Sequence, residues 1–320
     1  MSTLYLDRKA LTLKLDGATL ALYENAEKRG TIPLKMLERV VIRGNMSLES
    51  RLLWAFSEHK VDVLFLSGRY SRLSSMGFSH SHNDARRRLA QYQLCHQAEL
   101  RFELCQRLVF GKCQKQRQLL LKALDIRADL RKSLFQAERT IADIEQSIVC
   151  LVADNDAVSR LRGLEGAAAS AYFSGFKTLF SASLDFSRRK RRPPPDPVNA
   201  CLSLGYTLLH FEAVAVCHIV GLDPVLGFYH EPAYGRESLA CDMIEPLRPR
   251  LDNLVWYLFR KKQLRESHFT QEDGRCLLNK TGRKIFYAEY EGFVHPLRRL
   301  LRLQAHQLVR KYLQSATDVL

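Results

Sequence analysis

A chain of 320 residues, 46% of them hydrophobic and 26% charged, has the composition of a folded globular protein and room for two domains. Its formal net charge of +15 indicates a polyanionic partner. Nucleic acid is the first candidate and an anionic membrane surface is the second. It has neither the roughly 20 continuous apolar residues of a membrane span nor the apolar core of a signal peptide, so we expect a cytoplasmic protein and no membrane segment.

The first 20 or so residues have the pattern of β-strands. Leucines alternate with other residues over positions 4–22, at the two-residue period of a half-buried strand. Asp16 followed by Gly17 interrupts the pattern and predicts a hairpin turn, because glycine readily adopts the positive φ that such turns require.

Two later apolar runs, at residues 40–42 and 61–66, predict buried strands. Ser47 is expected to cap a short helix between them. Residues 1–80 are therefore predicted to form a small β-rich, β-sandwich-like domain with one short helix.

After the polar stretch at residues 79–83, apolar residues recur every three or four positions, which predicts several long helices as far as about residue 153. Breaks are expected near Gly111 and Asp125. The first helix begins with positive charges that oppose its dipole, and a contact with phosphate explains them better than a solvated helix start. These residues are Arg86, Arg87 and Arg88.

Glu165 is the only acidic residue in a helix predicted over residues 159–180. Gly163, Gly166 and the alanines at 167–169 surround it and indicate close packing against other elements. Because a buried carboxylate without a partner is very costly, we expect a partner here. The candidates are an arginine and a metal ion, and the residues alone slightly favour the arginine.

Residues 187–197 combine a basic run with three consecutive prolines, a composition that disfavours helix and interior strand. The segment is either a solvated linker or a mobile loop that orders over DNA phosphates. Its candidate DNA contacts are Arg188, Arg189, Lys190, Arg191 and Arg192. An apolar helix follows over residues 198–219, and a small turn or hairpin is predicted at residues 274–285 among further helices.

Residues 227–250 place His230 shortly before two carboxylates, Asp242 and Glu245. Residues three apart on a helix share a face, so both carboxylates can reach one ion, and Arg248 can pair with Glu245 or hold a phosphate. Oxygen ligands with one imidazole suit Mg²⁺ or Mn²⁺ rather than structural zinc. The alternative is a surface helix with salt bridges and an unrelated histidine, which the spacing alone favours.

Five segments then occur in an order that resembles one protein family: RGLEGAAASAYF, RPPPDPVNACLSLGYTLL, GLDPVLGFYHEP, SLACDMIEPLRP and LLNKTGRKIFYAEYE. They are similar to segments of the CRISPR-associated integrases that insert new spacers into CRISPR arrays. The resemblance covers essentially the whole chain and outweighs the surface-helix interpretation.

The resemblance implies an α+β fold, with the β-rich domain at residues 1–80 followed by a larger all-α catalytic domain at residues 81–320. Asn199 matches a family motif placed beside the metal. The family's metal-binding and catalytic residues match Glu165, His230, Asp242 and Glu245, with Mg²⁺ or Mn²⁺ as the implied cofactor. Glu245 either binds the ion or holds His230 and water in place.

The implied reaction is transesterification, in which a 3′-hydroxyl of spacer-precursor DNA attacks a phosphodiester of the CRISPR repeat. The implied partners are DNA, a second copy of the chain, and a small dimeric CRISPR-associated companion that bridges two dimers in a prokaryotic cytoplasm. Removal of the Asp242 carboxylate is expected to preserve or raise stability, because it relieves repulsion among clustered carboxylates.

Two alternatives stay open. The first is a metal-dependent nuclease of branched or repair DNA, which would share every site residue and differ only in joining. The second is a non-enzymatic DNA-binding scaffold in which the acidic residues are only ion-paired.

Overall fold

The computed structural model describes residues 2–8, 10–67, 73–77, 82–191 and 193–313. The chain divides into two units, Met1–Asn83 and Asp84–Leu320. The first unit is rich in strands and the second is mostly helical, which confirms the predicted α+β class.

In its described residues, the first unit contains eight strands and one α-helix. These elements are β1 (Ser2–Leu6), β2 (Leu11–Asp16), β3 (Thr19–Glu24), β4 (Glu27–Pro33), β5 (Leu37–Arg43), β6 (Ser47–Leu48), α1 (Ser50–Glu58), β7 (Asp62–Leu66) and β8 (Leu73–Gly77). They form two four-stranded sheets with strand orders β1-β5-β7-β8 and β4-β3-β2-β6.

Side chains from both sheets and from α1 share one hydrophobic core, as the alternating leucines predict. Leu13 and Leu20 from one sheet, Val40 from the other and Leu52 from α1 are fully buried. The predicted hairpin joins β2 to β3, with Gly17 at a φ of +57°.

The helix cap in this unit differs from the prediction. Ser47 lies in the short strand β6, and α1 begins only at Ser50, after Glu49, which makes no side-chain capping hydrogen bond. The carboxylate of Glu49 instead accepts the N–H of Leu15 in β2 at 3.1 Å.

The second unit contains eight α-helices and one hairpin in its described residues. They are α2 (Arg86–Cys95), α3 (Ala98–Ile126), α4 (Arg131–Val149), α5 (Ala157–Phe176), α6 (Pro197–Val220), α7 (Ser238–Ile244), α8 (Arg248–Arg260), β9 (Phe269–Glu272), β10 (Arg275–Leu278) and α9 (Lys280–Leu308). The hairpin lies close to the predicted turn, so this unit is not strictly all-α. The predicted break near Gly111 is wrong, because α3 passes through it, whereas the helix does end just after Asp125.

Helix α6 is buried almost all round, and α7, α8, α9 and β10 pack against it. Both of its ends are fixed by local chemistry. Asp196 caps the start by accepting the N–H of Asn199, and Pro197 occupies the first turn, where its missing N–H costs nothing. Gly221 ends the helix at a φ of +83°.

The length and apolar composition of α6 would suit a membrane span, but 78% of its most apolar 18-residue window is buried inside the protein.

The close packing predicted around Glu165 holds for Ala168, which is fully buried, but is wrong for the two glycines. A Cβ added at Gly163 or Gly166 would meet nothing within 4 Å, so these glycines face open space. Gly175, farther along α5, is the residue that needs to be small. A Cβ there would lie 2.9 Å from the Cβ of Ala137 on α4 and 3.3 Å from a methyl group of Leu120 on α3.

We expect Gly175→Ala to lower the free energy of unfolding by about 1–2 kcal/mol, because overpacking between three helices exceeds the gain in helix propensity. Gly163→Ala, on the same helix, is the matched control and should raise stability by up to about 1 kcal/mol. Urea unfolding of the two variants measures both effects. Equal stabilisation by both substitutions would show that α5 does not pack closely at Gly175.

Candidate active site

Three parts of the helical unit bring the predicted ligands together. Glu165 lies on α5, His230 lies in the loop between α6 and α7, and Asp242 lies on α7. Glu245 follows in the single 3₁₀ turn before α8. The Nε2 atom of His230 is 3.9 Å from Oε1 of Glu245, and Lys112 of α3 contacts both glutamates.

Asp242 is buried, and its carboxylate accepts hydrogen bonds from the loop that carries His230. Its Oδ2 accepts the N–H groups of Phe228 at 2.7 Å and Tyr229 at 3.0 Å, and its Oδ1 accepts that of His230 at 3.0 Å. The same Oδ1 lies 2.6 Å from Nδ1 of His230. Because a carboxylate only accepts, this contact places the proton on Nδ1 and leaves Nε2 free to bind an ion.

This arrangement differs from the expectation that Asp242 faces a metal ion directly. Its oxygens contact three backbone N–H groups and Nδ1 of the His230 imidazole. The carboxylate therefore orients His230 through the ring nitrogen opposite Nε2. Gly227 is required for this geometry. A Cβ at that position would lie 2.8 Å from Oδ2 of Asp242 and 2.8 Å from the carbonyl carbon of Ser238.

Glu245 pairs with two cationic side chains. Its side chain is only 4% exposed, with Arg248 Nε 2.9 Å from Oε1 and Lys112 Nζ 2.6 Å from Oε2. Burial by itself would raise the pKa of Glu245, but Arg248 and Lys112 outweigh it and hold that pKa at about 2. Glu245 is therefore an anion at neutral pH.

Lys112 is the partner that the structure gives Glu165, where the sequence favoured an arginine. Its ammonium group bridges Glu165 and Glu245 from a side chain that is 13% exposed. Burial would lower the pKa of Lys112, but the two carboxylates outweigh it and raise the pKa. A positive charge therefore lies between these carboxylates.

Within the described ranges, no three His, Cys, Asp or Glu side chains are arranged as the ligands of a metal ion. The chemistry of the donors nevertheless fits a hard divalent ion: two carboxylates from Glu165 and Glu245, and the free imidazole nitrogen of His230. The position that such an ion would share with both carboxylates is the one that Lys112 takes.

Arg248, predicted to pair with Glu245 or a phosphate, does pair with Glu245 and belongs to a larger buried network. Its guanidinium lies 4.8 Å from the ring centre of Tyr206, and Arg189 lies 5.3 Å from the same centre. The Tyr206 hydroxyl donates to Asp252, which also accepts from Tyr172 at 2.8 Å. Burial raises the pKa of Asp252 to about 6, although these two hydrogen bonds oppose the shift.

Asn199 ties the basic segment to the start of α6. Its Oδ1 accepts from the backbone N–H of Lys190 at 2.9 Å and from Arg189 at 2.8 Å, and its Nδ2 donates to the carbonyl of Arg188 at 2.9 Å. The segment has no regular structure where it is described, as predicted, but Arg189 points into the protein. Arg188, Lys190 and Arg191 are exposed, and Arg192 lies outside the described residues.

The arginines at the start of α2 have partners within the chain. Arg86 pairs with Asp84 at 2.9 Å, and Arg87 donates to the carbonyl of Val220 at the end of α6 at 2.6 Å. Arg88 is half-buried. These contacts offset part of the positive charge at the helix start, and DNA contact by these arginines stays a prediction.

Lys112, Tyr206 and Asp252 also belong to the site, and the sequence does not predict them. Lys112 lies 53 residues before Glu165 on a helix rich in basic residues, so nothing in the sequence distinguishes it. The Gly205-Tyr206 pair lies within the apolar pattern of α6, and only its contacts with two arginines reveal its position beside the site.

Comparison with known proteins decides the family. A family model described as CRISPR associated protein Cas1 matches residues 4–292. The chain belongs to the Cas1 family. The relative named CRISPR-associated endonuclease Cas1 1, from Thermodesulfovibrio yellowstonii, is 39% identical over 317 residues, which cover 98% of each chain. The predicted family is thus confirmed.

Solved structures agree with this assignment. A Cas1 protein from Thermotoga maritima matches with a TM-score of 0.81 and 26% identity, over 98% of this chain and 97% of that one. A chain of a Cas6-RT-Cas1–Cas2 complex matches with a TM-score of 0.81 and 25% identity, over 99% of this chain and 35% of that one.

For this Cas1 chain, we expect Asp242→Ala to lower the free energy of unfolding by at least about 2 kcal/mol, because it leaves buried N–H groups without an acceptor. This reverses the expectation from sequence, which considered only carboxylate repulsion. Asp125→Ala, which removes an exposed carboxylate from α3, is the control and should change stability by no more than about 0.5 kcal/mol. Urea unfolding in EDTA measures both, and unchanged stability of Asp242→Ala would contradict the hydrogen-bond assignment.

Asp252 generates a pH-dependent prediction. Its folded pKa of about 6 lies above the ordinary value of 3.8, so the folded state binds the proton more tightly and this group's contribution to stability falls as pH rises from about 4 to 6. The stability of Asp252→Asn relative to the wild type should therefore rise over that range, by up to about 3 kcal/mol, and level off above it. Unfolding at a series of pH values tests this, and a flat difference would refute the raised pKa.

Proposed function

We propose that this Cas1-family chain is a metal-dependent DNA endonuclease and integrase, in which a 3′-hydroxyl of spacer DNA attacks a phosphodiester of a CRISPR repeat. The observation that carries the proposal is the convergence of Glu165, His230 and Glu245 from three parts of the chain, with Asp242 fixed behind the histidine. The relative from Thermodesulfovibrio yellowstonii is named an endonuclease, and this supports the nuclease part.

Glu165, Glu245 and Nε2 of His230 would hold Mg²⁺ or Mn²⁺. When bound, such an ion lowers the pKa of an attacking hydroxyl or water and offsets charge that develops on the phosphate. Asp242 keeps the proton on Nδ1 of His230, so the imidazole presents a lone pair on its other nitrogen. We assign Asp242 this positioning role rather than that of a ligand.

The surroundings of Glu165 support access by DNA. The Glu165 side chain is 23% exposed, and Gly163, Gly166 and Ala167 are exposed on the same helix, so this part of α5 presents small residues to an approaching DNA backbone. The net charge of +15 supplies a backbone attraction that does not depend on sequence.

The partners are also part of the proposal. The Cas1–Cas2 complex among the similar structures supports a small Cas2-type companion, which we propose joins two homodimers of this chain on spacer and repeat DNA in a prokaryotic cytoplasm. The ion pairs that Lys112 makes with both glutamates are what the scaffold alternative expects, so activity has to be measured.

The deciding experiment supplies labelled duplex ends and a supercoiled repeat-containing plasmid in Mg²⁺, in Mn²⁺ and in EDTA. Joining of label to plasmid supports the integrase, and cutting of branched DNA without joining supports the nuclease alternative. DNA binding that is equal in EDTA, with neither cutting nor joining in metal, supports the scaffold.

We expect Glu165→Gln, Glu245→Gln and His230→Ala each to reduce joining and cutting by more than about a hundredfold, whereas Asp242→Asn should reduce them by about 10- to 100-fold. All four should still bind DNA in EDTA, because none of them removes an arginine or a lysine. Gel-based joining assays and binding titrations separate the two effects. Full activity of Glu165→Gln would exclude the proposed ligand set.

Replacement of Arg188, Lys190 and Arg191 by serine should weaken DNA binding for all sequences alike and flatten the salt dependence by about 2–3 units of slope, since fewer counterions are released. Arg189 is left in place because it packs on Tyr206. The control replaces three exposed basic residues of α4, namely Arg131, Lys132 and Arg139, and makes the same change in net charge. An equal loss in the control would show that net charge alone, and not this segment, is responsible.

A further inference from the structure

Lys112 has an unusual position for a lysine. Its ammonium lies between two carboxylates that belong to the proposed metal site, with Glu165 on one side and Oε2 of Glu245 at 2.6 Å on the other. Only 13% of its side chain is exposed. Burying an ammonium group costs free energy that its ion pairs do not always recover. The buried charge of Lys112 therefore suggests a role beyond stability.

The two glutamates need a cation whether or not a metal ion is present. Glu245 is 4% exposed and Glu165 is 23% exposed, and carboxylates that approach one cation repel each other without it. Arg248 already neutralises the Oε1 side of Glu245, at 2.9 Å. Lys112 supplies the charge on the Oε2 side, which is the side it shares with Glu165.

We propose that Lys112 is a built-in cation that competes with the divalent metal ion for Glu165 and Glu245 and is released when a DNA phosphate takes it as a partner. This inference rests on the proposed function and extends it, because it makes metal binding depend on the presence of DNA. Lysine suits the role, since its single charge is carried on a flexible four-carbon chain that can move to a new partner. An arginine fork would hold the carboxylates more rigidly.

The proposal has a thermodynamic consequence. If the ammonium must leave before the ion binds, DNA strengthens metal binding, and by linkage the metal strengthens DNA binding by the same factor. Before DNA arrives, Lys112 keeps the carboxylates neutralised and the ion weakly bound. The site would then be assembled mainly on its substrate.

The test measures Mn²⁺ binding by electron paramagnetic resonance of the free ion, which needs no turnover. The proteins are the full-length wild type, Lys112→Met, and Lys115→Met as the matched control. Lys115 lies on the same helix, and its ammonium contacts Gln118 at 2.9 Å at the surface. The DNA is a short duplex with 3′-deoxy ends, so that no joining occurs.

Without DNA, Lys112→Met should bind Mn²⁺ about tenfold more tightly than the wild type, a usual size for coupling between two ligands. Addition of the duplex should strengthen Mn²⁺ binding by the wild type, and this enhancement should be smaller by about the same factor in Lys112→Met. Lys115→Met should behave as the wild type in both measurements. If Lys112→Met does not fold, the wild type still tests the idea, because absence of any enhancement by DNA overturns it.

Equal Mn²⁺ affinity of Lys112→Met and the wild type, or equal enhancement by DNA in both, would refute the competition while leaving the proposed function intact. Absence of Mn²⁺ binding by every protein, with and without DNA, would instead remove the metal site and this inference together.

Discussion

The carboxylate of Asp242 is the interaction on which the rest of the site depends. One buried side chain accepts three successive backbone N–H groups and holds the imidazole of His230 in one orientation. A loop has no ladder of its own to fix its backbone, so a carboxylate from the neighbouring helix takes that function. Gly227 allows the approach, because any larger residue would collide with the same carboxylate.

Close to Asp242, buried side chains of opposite charge pair with each other. Glu245 pairs with Lys112 and Arg248, and both Arg248 and Arg189 contact the ring of Tyr206. Removing one member of such a set leaves a buried charge uncompensated, which costs more than a surface pair is worth. Ion pairs between buried side chains therefore help to hold the site together.

The sequence predicts those features that repeat locally. Alternating leucines place the first strands, and capping residues such as Asp196 and Gly221 bound α6 within two residues of the prediction. The strand β4 was missed because its sequence, EKRGTIP, is almost wholly exposed and lacks an apolar alternation. Spacing and the family resemblance predicted Asp242 as a ligand, whereas the hydrogen bonds of its carboxylate go to loop backbone that no spacing rule describes. The pairing of Lys112 with Glu165 depends on how two helices pack, which is likewise not encoded in either local pattern.

The small exposed residues on the helix that carries Glu165 limit how this chain could recognise a DNA sequence. Gly163, Gly166 and Ala167 present hydrogen atoms and a methyl group, and these offer neither donors nor acceptors to the edge of a base. On the proposed function, a DNA strand that crossed this surface would meet no group there that can read its base sequence. If the proposed integrase activity is right, this chain would select its DNA at other surfaces, away from the bond that reacts.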